Sequence, residues 1–184
     1  AEKAGADSIT LHLREDRRHM QDKDLYELKP LLTKKMNLEL APTDEMIQIA
    51  LDVKPQDVCL VPERREERTT EGGLDVIKNY DLIKKTSDLL TSAGIRVSLF
   101  IDADKKQIDA AMVCGAPVIE IHTGHYADAL KPSERELKYN EIKESCNYAH
   151  SLGLQVNAGH GLTLENTFAI AKIDSIIELN IGHS

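Results

Sequence analysis

Apolar residues recur along this chain in two alternating patterns. Short runs rich in leucine and β-branched residues, bounded by glycine, proline or polar clusters, predict seven β-strands. The runs are DSITLHLR, MNLELA, DVCLVPE, RVSLFID, PVIEIHTG, QVNAGHGL and IIELNIGH. The stretches between them carry apolar residues at helical spacing, as at Ile142, Cys146 and Ala149. Strands that alternate with helices favour right-handed βαβ units and therefore a parallel sheet.

Glycine separates four predicted helices from the strands that follow them. The four segments are KAGADSI, SAGIRVS, VCGAPVI and SLGLQVN. A left-handed glycine is the usual residue that ends a helix and redirects the chain. At the start of the longest predicted helix, Ser133 and Glu136 have the S-x-x-E spacing of a capping box.

The polar residues within the strands decide between an open doubly wound sheet and a closed barrel. Strands covered by helices on both faces are almost continuously apolar. Here Ile119 and Ile121 alternate with Glu120 and His122, and the first two predicted strands alternate in the same way. This alternation favours a (β/α)8 TIM barrel, with aliphatic side chains against the helices and polar ones in the lumen.

The length of the chain limits how much of a barrel it can form. Eight βα units need roughly 225 residues, and the chain has 184. It begins on what resembles a last helical turn, AEKAGA, and stops just after a strand. We therefore expect residues 1–184 to be a single barrel domain with strands two to eight, without the first strand and the last helix.

Polar side chains with acid–base chemistry collect at the ends of the predicted strands. Six of the seven histidines, all but His150, lie there or in the adjoining loops. In a TIM barrel this rim is where the chemistry takes place. Histidines and carboxylates gathered together are unfavourable to desolvate, which favours a functional role for the set. The rim residues are His12, Arg14, Glu39, Glu63, Asp102, His122, His160 and His183.

Several of these residues also have plain structural interpretations. Glu120 and Glu178 lie mid-strand and could simply pair with Arg or Lys inside the barrel. Asp102 and Asp104 could cap the next helix, with Asp104 as the N-cap residue. The charged run ERREER, residues 63–68, predicts a solvated loop. It leads into the paired glycines of TTEGGLD, so residues 64–74 could instead form a mobile lid over the rim.

Composition excludes several partners. The net charge is -8, with acidic and basic residues interspersed, which argues against nucleic acid. The three cysteines are widely spaced and predict neither a disulfide framework nor a structural zinc site, as expected for a reducing cytoplasm. No apolar run approaches the roughly 20 residues that a membrane span needs, so we expect a soluble protein with no membrane partner.

Seven segments of the chain together carry a resemblance to a known family. They are HLREDRRH, MNLE, LVPE with TTEGGLD, VSLFIDAD, IEIHTG, VNAGHGL and LNIGH. They resemble the pyridoxine 5'-phosphate synthase family, which closes the pyridine ring in one route to vitamin B6. The resemblance covers essentially the whole chain.

The resemblance implies a fold, a reaction and an assembly. The family is a cytoplasmic (β/α)8 barrel that forms a homo-octamer. It condenses 3-amino-2-oxopropyl phosphate with 1-deoxy-D-xylulose 5-phosphate by general acid/base catalysis. The products are pyridoxine 5'-phosphate, inorganic phosphate and water. The resemblance implies small phosphorylated substrates as partners, no metal and no organic cofactor.

The resemblance also assigns roles to individual residues. His12 and Glu39 match the two general bases of the family, and His160 matches its general acid. The glycines beside His160 would allow a close approach to substrate. The family's first strand carries an Asn and an Asp-His pair that touch substrate, and this sequence lacks them. The matched substrate contacts are Arg14, His19, Thr69, Gly161, Gly182 and His183.

Two other functions remain open from the residues alone. A metal-dependent barrel enzyme could use His12, Glu39, His122 and His160 as metal ligands. A non-catalytic barrel could bind a phosphorylated metabolite and release no inorganic phosphate. The condensation instead requires repeated proton transfers, for which histidines and a pocketed glutamate are suited. Arg14 and backbone N–H groups could hold the phosphates without a metal.

Overall fold

Seven parallel strands form one sheet in the computed structural model, which describes residues 1–70 and 72–182. The strands pair in chain order, each with the next, and all six pairings are parallel. This order confirms the predicted succession of βαβ units. The strands are β1 (Ser8–His12), β2 (Lys35–Leu40), β3 (Asp57–Leu60), β4 (Arg96–Ile101), β5 (Val118–His122), β6 (Gln155–Gly159) and β7 (Ile176–Asn180).

Helices connect the successive strands. They are α1 (Asp22–Leu28), α2 (Asp44–Val53), α3 (Tyr80–Ser92), α4 (Lys105–Val113), α5 (Gly124–Asp128), α6 (Pro132–Ser151) and α7 (Thr167–Ala171). Two short 3₁₀ turns, Glu2–Ala4 and Arg65–Glu67, lie before β1 and between β3 and α3. Within the described residues no helix has both the length and the apolarity to cross a membrane.

The sheet curls until its first and last strands meet through their side chains. The hydroxyl of Thr10 in β1 donates a hydrogen bond to Asn180 Oδ1 in β7 at 2.8 Å. The amide of Asn37 in β2 lies 3.3 Å from the same hydroxyl. These contacts cross the interior of the curl, so the polar faces of the strands do point into a lumen. The fold is of the (β/α)8-barrel type, and the described residues contribute seven of its strands.

The aliphatic face of the sheet packs against the helices. Leu38, Leu40, Ile119 and Ile121 are fully buried and belong to the same core as the buried faces of α2, α3, α4 and α6. Burial of such side chains from water is the main favourable contribution to folding. The alternation read from the sequence therefore separates the core from the lumen correctly.

The glycine pattern is confirmed, and the predicted capping box is wrong. Gly5, Gly94, Gly115 and Gly153 all have φ between 80° and 99°, the left-handed range expected after a helix. Helix α6 begins at Pro132, one residue before Ser133, and no side chain caps it. A proline is pre-organised for the first helical position because its φ is fixed near −65°.

Two leucines offer a test of this division between core and surface. Leu99, in β4, is 0% exposed, whereas Leu130, between α5 and α6, is 93% exposed. We expect Leu99→Ala to lower the free energy of unfolding by about 2–5 kcal/mol, because it removes buried methyl groups and leaves a cavity. Leu130→Ala should change it by less than about 0.5 kcal/mol. Urea denaturation of both variants measures the difference, and equal losses would contradict the assigned core.

Candidate active site

Parallel strands place all of their carboxyl ends at one rim of the barrel, and the predicted polar residues meet there. His12 and His122 are the last residues of β1 and β5, and Glu39 is next to last in β2. Asp102 and His160 directly follow β4 and β6. The strand order separates these residues into two groups. His12 and Glu39 are neighbours because β1 pairs with β2, and Asp102, His122 and His160 are neighbours because β4, β5 and β6 are adjacent.

His12 lies between two carboxylates. Its Nδ1 is 3.5 Å from Glu39 Oε2, and its Nε2 is 3.3 Å from Glu63 Oε1. The second oxygen of Glu63 accepts the backbone N–H of Glu15 at 2.8 Å. A proton on either ring nitrogen of His12 therefore has a carboxylate acceptor within 3.5 Å. This arrangement can take up and pass on protons.

Glu120 forms the floor of the site, inside the lumen. Its carboxylate is 3% exposed and accepts a hydrogen bond from the Asn180 amide at 2.6 Å. The Cys59 thiol lies 3.8 Å from the same oxygen. Burial, reinforced by the nearby negative charge of Glu39, raises the pKa of Glu120 to about 8. Burial also raises the pKa of Glu39, although the charge of His12 opposes that rise.

The glycine before His160 provides space for Glu120. A Cβ atom on Gly159 would overlap Glu120 Oε1 and would lie 3.0 Å from the Asn180 carbonyl oxygen. A larger residue at position 159 would therefore displace the buried carboxyl group. This explains one of the two glycines that flank His160 in the sequence.

His160 has a left-handed backbone, which is uncommon for a residue with a side chain. Its φ is 84°, and Gly161 follows with φ 75°. The Thr123 hydroxyl holds the turn, at 2.7 Å from the Gly159 carbonyl and 2.6 Å from the His160 carbonyl. Burial lowers the pKa of His160, and the neighbouring His122 lowers it further. Strained turns of this kind are frequent at functional sites.

His122 and Asp102 form a second pair on the rim. His122 Nδ1 is 3.2 Å from Asp102 Oδ1. The same carboxylate accepts a hydrogen bond from the Thr69 hydroxyl and one from the Gly73 N–H, at 3.1 Å. Asp102 thus connects the segment after β3 to the rim. The structural interpretation of Asp102 as a helix cap is wrong, whereas Asp104 does cap α4, accepting the Lys106 N–H at 2.9 Å.

The segment predicted as a lid is folded onto this rim in its described part. Arg68 and Leu74 form an antiparallel bridge, and the Thr69 N–H donates to the Gly73 carbonyl at 2.9 Å. The carboxylate of Glu67 accepts the N–H of Glu63 at 2.9 Å. Residues 64–70 and 72–74 therefore form a tight loop against the rim, and Thr69 and Gly73 hold it to Asp102.

The remaining predicted contacts lie at the edges of the site. Arg14 pairs with Asp16 at 3.1 Å, and His19 is exposed in the same loop after β1. Gly161 follows His160, and Gly182 is exposed two residues after β7. His183 lies outside the described residues. Gly161 is therefore adjacent to His160, the predicted acid, whereas the guanidinium of Arg14 is paired with Asp16.

The four candidate metal ligands fall into two separate pairs. His12 contacts Glu39 across β1 and β2, whereas His122 contacts His160 across β5 and β6, with ring centroids 4.9 Å apart. In the described part of the chain, no three His, Cys, Asp or Glu side chains are grouped so that they could hold a metal ion. The geometry therefore does not assemble the ligand set that the metal alternative requires.

The mid-strand glutamates have different environments. Glu178 lines the opposite end of the lumen with Asp57 and Arg96, and the attraction of Arg96 opposes the rise in the pKa of Glu178 caused by burial. Arg96 forms its ion pair with Asp57, so the pairing of Glu178 with a cation stays a prediction. Glu120 instead uses Asn180 and Cys59, both missed by the sequence analysis. The period-two pattern that places Glu178 in the lumen also places Asn180 there.

The fold and the rim together define the class of protein. It is a (β/α)8-barrel protein whose histidines and carboxylates gather at the carboxyl ends of the strands, where barrel enzymes carry out their chemistry. Solved structures of low identity share the fold. The Amycolatopsis orientalis BexX/CysO complex matches 97% of this chain and 71% of its own with a TM-score of 0.65 at 14% identity. Phosphoribosyl anthranilate isomerase from Thermus thermophilus matches 98% and 78% with a TM-score of 0.62 at 12% identity.

Sequence comparison identifies the family. The chain belongs to the family described as pyridoxal phosphate biosynthesis protein PdxJ, whose sequence model matches residues 1–184. A pyridoxine 5'-phosphate synthase of Photobacterium profundum is 59% identical over all of this chain and 76% of its own length. That of Colwellia psychrerythraea is 61% identical over all of this chain and 75% of its own. The resemblance read from the seven motifs is therefore confirmed.

The buried carboxyl group of Glu120 gives a testable pH dependence. Its pKa in the folded protein, about 8, lies above its ordinary value of 4.5. The folded state therefore holds an extra proton between these values, and stability is lost as the pH rises through that range. Glu120→Gln keeps an acceptor for Asn180 but does not ionise. We expect the variant to lose less stability than the wild type between about pH 5 and about pH 8.5.

Urea denaturation at the two pH values measures this effect. Glu134→Gln is the matched control, since Glu134 is an exposed residue in the first turn of α6. Its pH dependence should follow that of the wild type. If Glu120→Gln also follows the wild type, the raised pKa of Glu120 is contradicted.

Proposed function

We propose that this chain is a pyridoxine 5'-phosphate synthase that acts in vitamin B6 biosynthesis. It condenses 3-amino-2-oxopropyl phosphate with 1-deoxy-D-xylulose 5-phosphate to give pyridoxine 5'-phosphate, inorganic phosphate and water. Membership in the PdxJ family and the names of the relatives support the reaction. The observation that supports the chemistry best is the pair His12–Glu39 on the same rim as His160.

The bases in this proposal are Glu39 and His12. Burial raises the pKa of Glu39, which makes its carboxylate a better proton acceptor near neutral pH than an exposed one. His12 is 3.5 Å away and can relay a proton between Glu39 and Glu63. Joining an amine to a ketone and closing the ring require protons to be removed from nitrogen and carbon. Two adjacent bases supply those steps without an added cofactor.

His160 is the acid in this proposal. Loss of water and of phosphate both require a proton on, or near, a departing oxygen. The imidazole of His160 sits on a backbone turn fixed by Thr123, with glycine on either side. Both His160 and Gly161 have a left-handed backbone, and the residues on either side of His160 have no Cβ atom that could block its ring. These features support a group that approaches the substrate closely.

Phosphate binding is assigned to Arg14, Gly161, Gly182 and His183, and the remaining contacts to His19 and Thr69. Backbone N–H groups at left-handed turns bind anions, which supports Gly161. Arg14 must leave Asp16 to reach a phosphate, and a charge-assisted bond to a phosphate is strong enough to replace an exposed pair. Thr69 lies in the loop against the rim, with its hydroxyl on Asp102, and this position supports a contact with substrate.

The proposal includes the setting of the enzyme. We assign residues 1–184 to one barrel domain that forms part of a homo-octamer in the cytoplasm and binds small phosphorylated substrates. Family resemblance supports the assembly and the location.

Substitutions at Glu39 and His160 test the chemistry. Glu39→Gln keeps the shape but removes the basicity, and His160→Asn removes the titratable group. Both should lower kcat by at least about 10²-fold and change KM little, because each residue acts on protons in the transition state. Arg14→Ala should mainly raise KM, since a phosphate contact is lost. The assay follows ring formation and phosphate release by the full-length protein. Near-normal kcat in Glu39→Gln and His160→Asn would make these rim residues structural.

A glycine pair tests the phosphate site. Gly161→Ala places a Cβ 2.7 Å from that of Ala127 and must shift the turn, whereas Gly153→Ala has a similar φ but no atom within 4 Å. We expect Gly161→Ala to weaken the binding of inorganic phosphate by at least about tenfold, since the N–H group moves away from the anion. Gly153→Ala should bind phosphate like the wild type. Calorimetric titration measures both, and equal affinities would contradict phosphate binding at Gly161.

A further inference from the structure

The carboxylate of Asp102 connects three parts of the barrel. Asp102 is 7% exposed. It receives the Thr69 hydroxyl and the Gly73 N–H from the loop after β3, and it faces His122 Nδ1 at the end of β5. A buried carboxylate is retained only where such donors compensate its desolvation. The hydrogen bonds lower the pKa of Asp102 despite its burial, so the group stays ionised.

Asp102 fixes the orientation and tautomer of His122. An ionised carboxylate can only accept, so Nδ1 of His122 carries a proton. The His122 side chain is 10% exposed. Its ring packs at 5.0 Å from the Phe100 ring and 5.6 Å from the His125 ring, measured between centroids. Hydrogen bonding and packing together leave this ring a single orientation.

The ring of His160 packs against the ring of His122, which Asp102 holds in place. The two rings meet edge to face with centroids 4.9 Å apart. Gly124 leaves space for both, because a Cβ there would lie 2.6 Å from His122 Nε2 and 3.0 Å from His160 Cδ2. The ring of His160 therefore rests against His122 in the space that Gly124 leaves open.

We infer that His122 and Asp102 are positioning residues for the acid His160, and that Asp102 couples the loop over the rim to that acid. The inference deepens the proposed function, on which the role of His160 rests. When Thr69 and Gly73 leave Asp102, water reaches the carboxylate and its hold on His122 weakens. The acid is then placed correctly only while the loop covers the site. Such coupling limits proton transfer to the state in which water is excluded.

The experiment compares three variants of the full-length protein. Asp102→Asn keeps the shape but removes the charge, and His122→Asn removes the ring but keeps a donor for Asp102. Asp104→Asn is the matched control, because Asp104 lies two residues away and only caps α4, a position where asparagine serves equally. Three quantities are measured: kcat with KM, the rate of proteolytic cleavage within residues 64–74, and the titration of His160 by NMR.

We expect His122→Asn to lower kcat by about tenfold or more with KM changed little, since displaced catalytic groups act poorly. Cleavage of the loop should stay at the wild-type rate. The pKa of His160 should rise, because the variant removes the ring that partly covers His160 and the electrostatic effect of that ring. His122 and Asp128 are the titratable groups that act on His160, and Asp128 is unchanged. A merely structural loss would not move this titration.

Asp102→Asn should lower kcat by a similar factor and also speed cleavage of the loop several-fold, because the loop loses its charged acceptor. If Asp102→Asn does not fold, two single variants measure the two connections separately. His122→Asn tests the contact with His160. Thr69→Val, which replaces the hydroxyl by a methyl group, tests the bond between the loop and Asp102. Normal kcat and an unchanged His160 titration in His122→Asn would overturn the positioning role. Faster cleavage with normal kcat in Asp102→Asn would overturn the coupling. An inactive wild type would refute the proposed function instead, and the titration and the cleavage would still decide the inference.

Discussion

The side-chain amide of Asn180 ties the curled sheet together from the inside. Its oxygen accepts from Thr10 in the first strand, and its nitrogen donates to Glu120 in the fifth. One amide thus connects the strands at both ends of the sheet to its middle. Both of its polar ends are used, which lets it lie in the lumen without the penalty of an unpaired buried group. The curl that this contact supports is what brings distant strand ends to a common rim.

The interior of the barrel and the candidate site depend on the same alternation of side chains. Residues that point outward pack in the core with the helices, and the next residue of each strand adds a polar group to the lumen or the rim. Burial shifts the proton affinities of these groups, and their neighbours add to the shift: Glu39 helps to raise the pKa of Glu120, and His122 helps to lower that of His160. The alternation of side chains along the strands therefore determines both the packing of the core and the acid–base properties of the rim.

The sequence allows the strands, the glycine turns and the rim to be predicted, because each depends on local periodicity or on backbone conformation. It does not predict the partners of Asp102. Its loop donors, Thr69 and Gly73, are about thirty residues distant in the chain, and they meet it only when β3 and β4 pair. The error at Ser133 has a local cause, since Pro132 begins the helix one residue earlier. Gly159 could be predicted as a turn residue, but its contact with Glu120 depends on strand register.

The left-handed backbone of His160 sets stability against chemistry at a single position. A glycine there would adopt the same φ with no Cβ penalty, whereas histidine holds it at a cost of about 1 kcal/mol or more. Selection for thermostability alone would therefore replace this histidine, whereas the role of acid proposed for His160 would require it. A search for stabilising substitutions in this barrel should therefore find a favourable backbone change at a residue that the proposed chemistry needs.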